Sequence, residues 1–162
     1  MVDASIIVPR LWQGSRPSYG PIIAEAGYDV LVLCAREYQP ASVYFPKVTV
    51  IHAPNDDNPA RYPFTKEDLR VAIRAASQVV DHYNEGKNIL ITCQAGINRS
   101  GLVMAITLHK LFGWSGDQCI KKIREERQVP DCIPALSNPD FQKVLRNLPE
   151  SLLLPGLDPI SL

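Results

Sequence analysis

The stretch ILITCQAGINRSGLVMAITL, from Ile89 to Leu108, constrains the fold more than any other part of the chain. A short apolar run ends at Thr92, a few small and polar residues follow, and a second, longer apolar run begins near Ser100. The first run is the length of a buried strand and the second has helical spacing, from about Ser100 to Phe112. A strand that turns tightly into an apolar helix is the repeating unit of α/β folds. An apolar face as wide as that of the second run implies a helix covered on several sides.

The rest of the chain fits that unit. SIIVPRLWQGSRP predicts a short strand followed by a Pro/Gly-punctuated turn. YDVLVLCA, Tyr28 to Ala35, and KVTVIHAP, closed by Pro54, read as further strands. Asn55 to Pro63 is a polar, proline-rich loop of the kind that carries function more often than packing. Thr65, with Asp68 three residues on, marks a helix start. Leu69, Ala72, Ile73, Ala76, Val79, Val80 and Tyr83 then recur at helical spacing, and Gly86 is a natural stop. Two amphipathic helices follow, one from near Ser115 and one capped by Ser137 or Asn138. The expectation is a single α/β domain over residues 1–150, with a central, mainly parallel sheet of four to five strands flanked by helices. Residues 151–162 form a proline-broken tail.

At 162 residues the chain is long enough for one sizeable core. Its 17 basic and 17 acidic side chains balance, which gives no support to nucleic acid or an anionic membrane as partner. No apolar run reaches the roughly 18 residues of a membrane span. The four cysteines, Cys34, Cys93, Cys119 and Cys132, form no CxxC pair, and no Cys or His cluster has metal-ligand spacing. The reading is a cytoplasmic protein with free thiols and no metal or other cofactor. Its oligomeric state is not legible.

Cys93 falls at the carboxyl end of its predicted strand, the edge where open α/β sheets bind ligands. The loop Gln94-Ala95-Gly96-Ile97-Asn98 can curl so that successive backbone N–H groups converge on one point. The positive end of the following helix strengthens that anion site, and Gly96 admits a backbone angle other residues resist. Arg99, six residues after Cys93, can offer its fork to two oxygens of a tetrahedral oxyanion. The same field favours the thiolate, the nucleophilic form of cysteine. Ser100 can donate a hydrogen bond to that thiolate as it leaves a covalent intermediate. The other cysteines lack the pattern, with Pro40, Glu125 and Asn138 six residues after them. The chemistry is covalent catalysis through a cysteinyl-phosphate that water then hydrolyses.

CQAGINRSG resembles the phosphate-binding loop of the cysteine-dependent protein tyrosine phosphatases, in the form of the dual-specificity subgroup. The resemblance runs over roughly residues 5 to 148. IIVPRLWQGSRP is similar to that family's opening strand and turn, YDVLVLCA to its next core strand, and HAPNDD to its general-acid loop. RQVPDCIPALSNPDFQKVL resembles its closing segment, which places Arg127 and Asn138 as supports of the active-site loops or as simple caps. The resemblance implies an aspartic acid that protonates the leaving oxygen and then activates water. It falls on Asp56, with Asp57 a close second. Such an acid has to be kept protonated by burial or by the bound phosphate dianion.

One departure is Thr92, where the family usually carries histidine. A threonine hydroxyl offers a hydrogen bond to the loop backbone but no charge. The uncharged loop positions Gln94, Ala95, Ile97 and Asn98 favour a phosphoprotein substrate, phosphotyrosine and also phosphoserine or phosphothreonine, since phosphoinositide-directed relatives tend to carry lysines there. RNA 5′-phosphate or phosphoinositide hydrolysis is the alternative within the same chemistry. A non-catalytic phosphoprotein-binding module is the alternative from another class, and Thr92 alone points to it. A rhodanese-like sulfurtransferase is disfavoured by the Asp-bearing upstream loop. His82 and His109 read as surface or packing residues, His52 as a neighbour of the acid loop, Cys34 as core, and Cys119 and Cys132 as thiols that only folding could bring near Cys93.

Overall fold

The computed structural model of the chain describes residues 1–127, 129 and 133–149. Its elements follow in the order β1 (Ala4–Val8), β2 (Leu11–Gly14), α1 (Ile22–Glu25), β3 (Val30–Ala35), β4 (Thr49–Asn55), α2 (Lys66–Asn84), β5 (Ile89–Thr92), α3 (Arg99–Phe112), α4 (Gly116–Glu126) and α5 (Pro139–Arg146). The five strands form one sheet in the order β1-β2-β5-β3-β4. Only the β1–β2 pair is antiparallel.

The expected turn after the first strand is instead a hairpin. Arg10, with φ at 70°, makes the reversal, and Leu11–Gly14 returns as β2. The strand beginning in KVTVIHAP also continues through Pro54 to Asn55, because β4 is an edge strand and tolerates a missing donor there.

β3 and β5 are buried at every position, as expected of central parallel strands covered on both faces. Alternate residues serve two cores. Val30, Val32 and Cys34 of β3, with Ile89 and Ile91 of β5, join the core built by α2, α3, α4 and α5. Leu31, Leu33 and Leu90 face the smaller core of Ile23, Tyr28 and Phe45. Truncating any of these fully buried aliphatic side chains to alanine costs about 2–5 kcal/mol.

The predicted start of α2 is a full capping box: the Thr65 hydroxyl accepts from the Asp68 amide, and the Asp68 carboxylate accepts from that of Thr65. Gly86, at φ 83°, takes the left-handed conformation past its end. α3 is buried from Arg99 to His109, so its polar beginning is buried with it. No helix among the described residues is long and apolar enough to cross a membrane. The tail, 151–162, and Cys132 lie outside the described residues.

Candidate active site

β5 lies between β2 and β3, and its carboxyl end delivers Cys93 to the sheet edge. Cys93 is 4% exposed, so it is almost wholly buried at that edge. Its Sγ lies 3.2 Å from Oγ of Ser100, which is fully buried in the first turn of α3.

Between them the loop directs its carbonyls outward into the protein. The Gln94 carbonyl accepts from the Arg16 amide at 3.1 Å and that of Ile97 from the Leu136 amide at 3.0 Å. The Asn98 carbonyl accepts from the Leu102 amide at 2.8 Å. The Gly96 carbonyl takes two donors at 3.0 Å, Gln13 Nε2 and Arg127 Nε, and the Ala95 carbonyl takes Arg127 Nη2 at 3.2 Å. Among the described residues, none of the loop amides from Gln94 to Asn98 has a protein acceptor. Carbonyls satisfied outside and amides left free inside are the arrangement of an anion-binding nest at a helix N-terminus.

Two features hold this shape. Gly96 has φ 71°, and a Cβ there would meet Arg127 Nη2 at 2.5 Å and the Gly14 backbone at 2.6 Å. Arg127 is the buried clamp. Its guanidinium also bonds both oxygens of Asp3, at 3.1 and 2.8 Å, and Ser5 Oγ at 3.2 Å. Both strands of the opening hairpin therefore anchor the loop, through Gln13 on β2 and through Asp3 and Ser5 at the start of β1.

Arg99 enters the site from the start of α3. Its Nη1 and Nη2 donate to Glu37 Oε2 and Oε1 at 2.6 and 2.8 Å, and Nη1 also reaches the Asn55 carbonyl at 3.1 Å. Its Nε is buried with no partner among the described residues. Burial is the largest influence and opposes the charge of Arg99, but the bonds to Glu37 together with the charges of Cys93, Glu37 and Asp57 hold the guanidinium above its ordinary value. The bonds from Arg99 in turn hold the Glu37 carboxyl below its usual range against partial desolvation.

The two aspartates point to different neighbours. Asp56 Oδ2 accepts from Arg36 Nε at 2.8 Å, in an exposed pair turned toward α2. Asp57 accepts from Asn98 Nδ2 at 3.1 Å and from Asn138 Nδ2 at 2.9 Å, which joins it to the loop itself. Asn138 also caps α5, its Oδ1 accepting from the Asp140 and Phe141 amides. The structure thus brings Cys93, Arg99, Ser100, Gly96, Asn98 and Asp57 together. Gln94 and Ala95 stand exposed, Ile97 is buried, and Asp56 is paired with Arg36 and makes no hydrogen bond to the loop among the described residues.

Thr92 does not touch the loop. Its hydroxyl donates to the Val32 carbonyl of β3 at 2.8 Å, inside the sheet, which corrects the expected bond to the loop backbone. Glu37 escapes sequence reasoning altogether: a charged residue just past a strand reads as surface, and only folding sets it against Arg99, 62 residues away. Gln13 escapes for the same reason.

His52 Nε2 lies 2.8 Å from the Pro40 carbonyl, and His109 is buried with Nδ1 2.7 Å from the Trp114 carbonyl. Cys34, Cys93 and Cys119 are free and buried. Burial pushes the Cys34 thiol well up and that of Cys119 up to about 12, so neither is a reactive thiolate at neutral pH. No group of His, Cys, Asp and Glu among the described residues could hold a metal ion.

The chain belongs to the family described as "Dual specificity phosphatase, catalytic domain", whose model matches residues 11–148. It is a protein phosphatase of the cysteine-based type, hydrolysing phosphate monoesters, and its substrates are phosphorylated molecules. Among solved structures, human DUSP28 superposes with a TM-score of 0.71 at 25% identity, over 93% of this chain and 95% of that one. Tk-PTP in its active form gives 0.71 at 22% identity, over 93% and 96%. A mouse putative dual specificity phosphatase complexed with zinc tungstate gives 0.70 at 24%, over 97% and 95%. A search of curated proteins finds no match.

Proposed function

We propose that Cys93 is the nucleophile of a protein phosphatase acting on phosphotyrosine and on phosphoserine or phosphothreonine, and that residues 1–150 are its catalytic unit. The observation that carries this reading is the loop itself: carbonyls from Gln94 to Asn98 bound by the surrounding protein, amides without an acceptor among the described residues, and Cys93 buried at its start. The amides and the unpartnered Arg99 Nε receive the three non-bridging phosphoryl oxygens. The Cys93 thiolate attacks phosphorus in line as the bond to the leaving oxygen breaks. Asp57 gives its proton to that oxygen. Water, deprotonated by Asp57, then cleaves the cysteinyl-phosphate, and Ser100 Oγ donates to the departing thiolate.

Asp57 is preferred to Asp56 as the acid because its two amide partners belong to the loop and to the α5 cap, whereas Asp56 is engaged by Arg36. Uncharged loop side chains favour phosphoprotein over the more heavily phosphorylated inositol lipids or RNA ends. The free, buried thiols fit a reducing compartment, and the cytoplasm is the location proposed.

Hydrolysis of an aryl phosphate and of a phosphotyrosine peptide by wild type, Cys93→Ser, Asp56→Ala and Asp57→Ala tests the scheme. Cys93→Ser should abolish turnover, and Asp57→Ala should lower kcat by about 10²–10⁴-fold, the usual weight of a general acid. Asp56→Ala should cost less than about fivefold, since only a screened surface pair is lost. Turnover surviving in Cys93→Ser, or the larger loss falling on Asp56, overturns the assignment.

A further inference from the structure

Beside the phosphate loop lies a surface pocket of about 330 Å³, lined by Arg16, Pro17, Ser18, Tyr19 and Tyr38, for which the mechanism has no use. Two links tie it to the reacting centre. The Arg16 amide donates to the carbonyl of Gln94, the residue after Cys93. Tyr38 follows Glu37, the residue that grips Arg99. The Tyr38 hydroxyl donates to the Pro17 carbonyl at 2.7 Å, pinning the two walls together. Tyr19 stacks between Tyr38 and Tyr44, at centroid distances of 6.0 and 4.8 Å, and makes the wall a continuous aromatic ledge.

Arg16 stands over that ledge, its guanidinium 5.0 Å from the centre of the Tyr38 ring. Three other arginines of the site are paired with carboxylates: Arg36 with Asp56, Arg99 with Glu37, Arg127 with Asp3. Arg16 is exposed and has no carboxylate within 4.0 Å among the described residues. Stacking on a ring orders a guanidinium without using its N–H donors, so its fork stays open to a pair of oxygens. The variable side chains of the phosphate loop carry no charge. Charge recognition on this side of the reacting phosphate therefore falls to Arg16.

The geometry points to a specificity subsite: we propose that this pocket takes an acidic side chain, carboxylate or second phosphate, flanking the phosphorylated residue of a phosphopeptide substrate. Arg16 pairs with the anion through two N–H donors, and Tyr19 and Tyr38 pack against its carbon stem. The inference rests on the Cys93 loop being the reacting centre.

The test uses phosphotyrosine peptides identical except at the flanking residues, which are neutral, Asp/Glu or phosphoserine, with soluble inositol bisphosphate as a non-peptide comparison. Wild type should prefer at least one acidic peptide over the neutral one by about 10-fold in kcat/KM, the weight of one charge-assisted bidentate contact. In Arg16→Gln that ratio should fall below about twofold, with the loss in KM, and Arg16→Lys should keep part of it. The preferred acidic peptide identifies the anion. No acidic preference in wild type, a preference that survives Arg16→Gln, or an equal loss on acidic and neutral peptides overturns the subsite. So does a dependence on Arg16 seen with the inositol bisphosphate alone. Failure of the Cys93 reading looks different: Cys93→Ser would still turn over the neutral peptide.

Discussion

Thr92 precedes Cys93, so its own contacts decide what it contributes. Its hydroxyl is bound to the Val32 carbonyl inside the sheet, and its side chain is 1% exposed. A group held that way steadies the end of β5 against β3 and spends its one donor inside the sheet. Thr92→Val is nearly the same shape and removes only the hydroxyl. The expected cost is about 1 kcal/mol of stability, the net worth of one buried hydrogen bond. That is a fall of about 2–4 °C in Tm for a chain of this size. Turnover of an aryl phosphate should stay within about twofold of wild type. Calorimetry with steady-state kinetics checks both, and a loss of kcat with Tm unchanged would return Thr92 to the chemistry. Arg99 shows the opposite case at the same scale: its two terminal nitrogens are committed to Glu37 and Asn55, and its Nε is buried without a partner among the described residues.

At the scale of elements, the Cys93 loop depends on supports drawn from both ends of the chain. Gly96→Ala adds a methyl at a φ of 71° and places it 2.5 Å from the Arg127 clamp and 2.6 Å from Gly14. Either the loop or the hairpin has to shift. Aryl phosphate turnover should fall at least about 100-fold, since misplacement by about 1 Å costs that much. The left-handed backbone adds roughly 1–3 kcal/mol of destabilisation, visible in denaturant titration. Asn138 couples α5 to Asp57, the proposed acid. Serine is an equally good N-cap but lacks the amide that donates to Asp57. Asn138→Ser should therefore keep Tm within about 2 °C while lowering kcat several-fold on phosphoserine peptides, whose poor leaving group needs the acid most. Equal activity would separate Asp57 from its proposed tether. These supports also mark where sequence reasoning stopped. The loop, the α2 capping box and the adjacent aspartates were legible because each is a local pattern of a few residues. β2 was not, because its short LWQG run carries a buried glutamine whose partner, Gly96, lies 83 residues on. Glu37 was not, nor were the contacts that set Asp57 apart from Asp56, since only the tertiary fold brings Asn98 and Asn138 to one carboxylate.

Over the whole molecule, two ion pairs close the fold around the site: Asp3 with Arg127, across 124 residues, and Glu37 with Arg99. Each carboxylate is about half exposed, while its arginine is buried. The bonds from Arg127 hold the Asp3 carboxyl below its usual range, with Ser15 helping and partial desolvation opposing. Glu37 is lowered in the same way by Arg99. A carboxyl whose folded value lies below its unfolded one stabilises the fold at every pH above the unfolded value, about 4 for these groups. That stabilisation drains away as the pH falls through the lower, folded value. Because solvent screens the exposed carboxylates, about 1 kcal/mol per pair is the expected scale, or about 2–4 °C in Tm. Asp3→Asn should therefore melt below wild type by that amount at pH 7 and at pH 5. The gap should narrow below about pH 4 and close near pH 2, where wild type has lost the same charge. Glu37→Gln should trace the same curve. Asp3→Asn should in addition slow aryl phosphate hydrolysis at pH 7, because Arg127 then grips the Ala95 and Gly96 carbonyls with its own anchor weakened. A gap in Tm that stays constant from pH 7 to pH 2 would show that the aspartate acts through its shape and not through its charge.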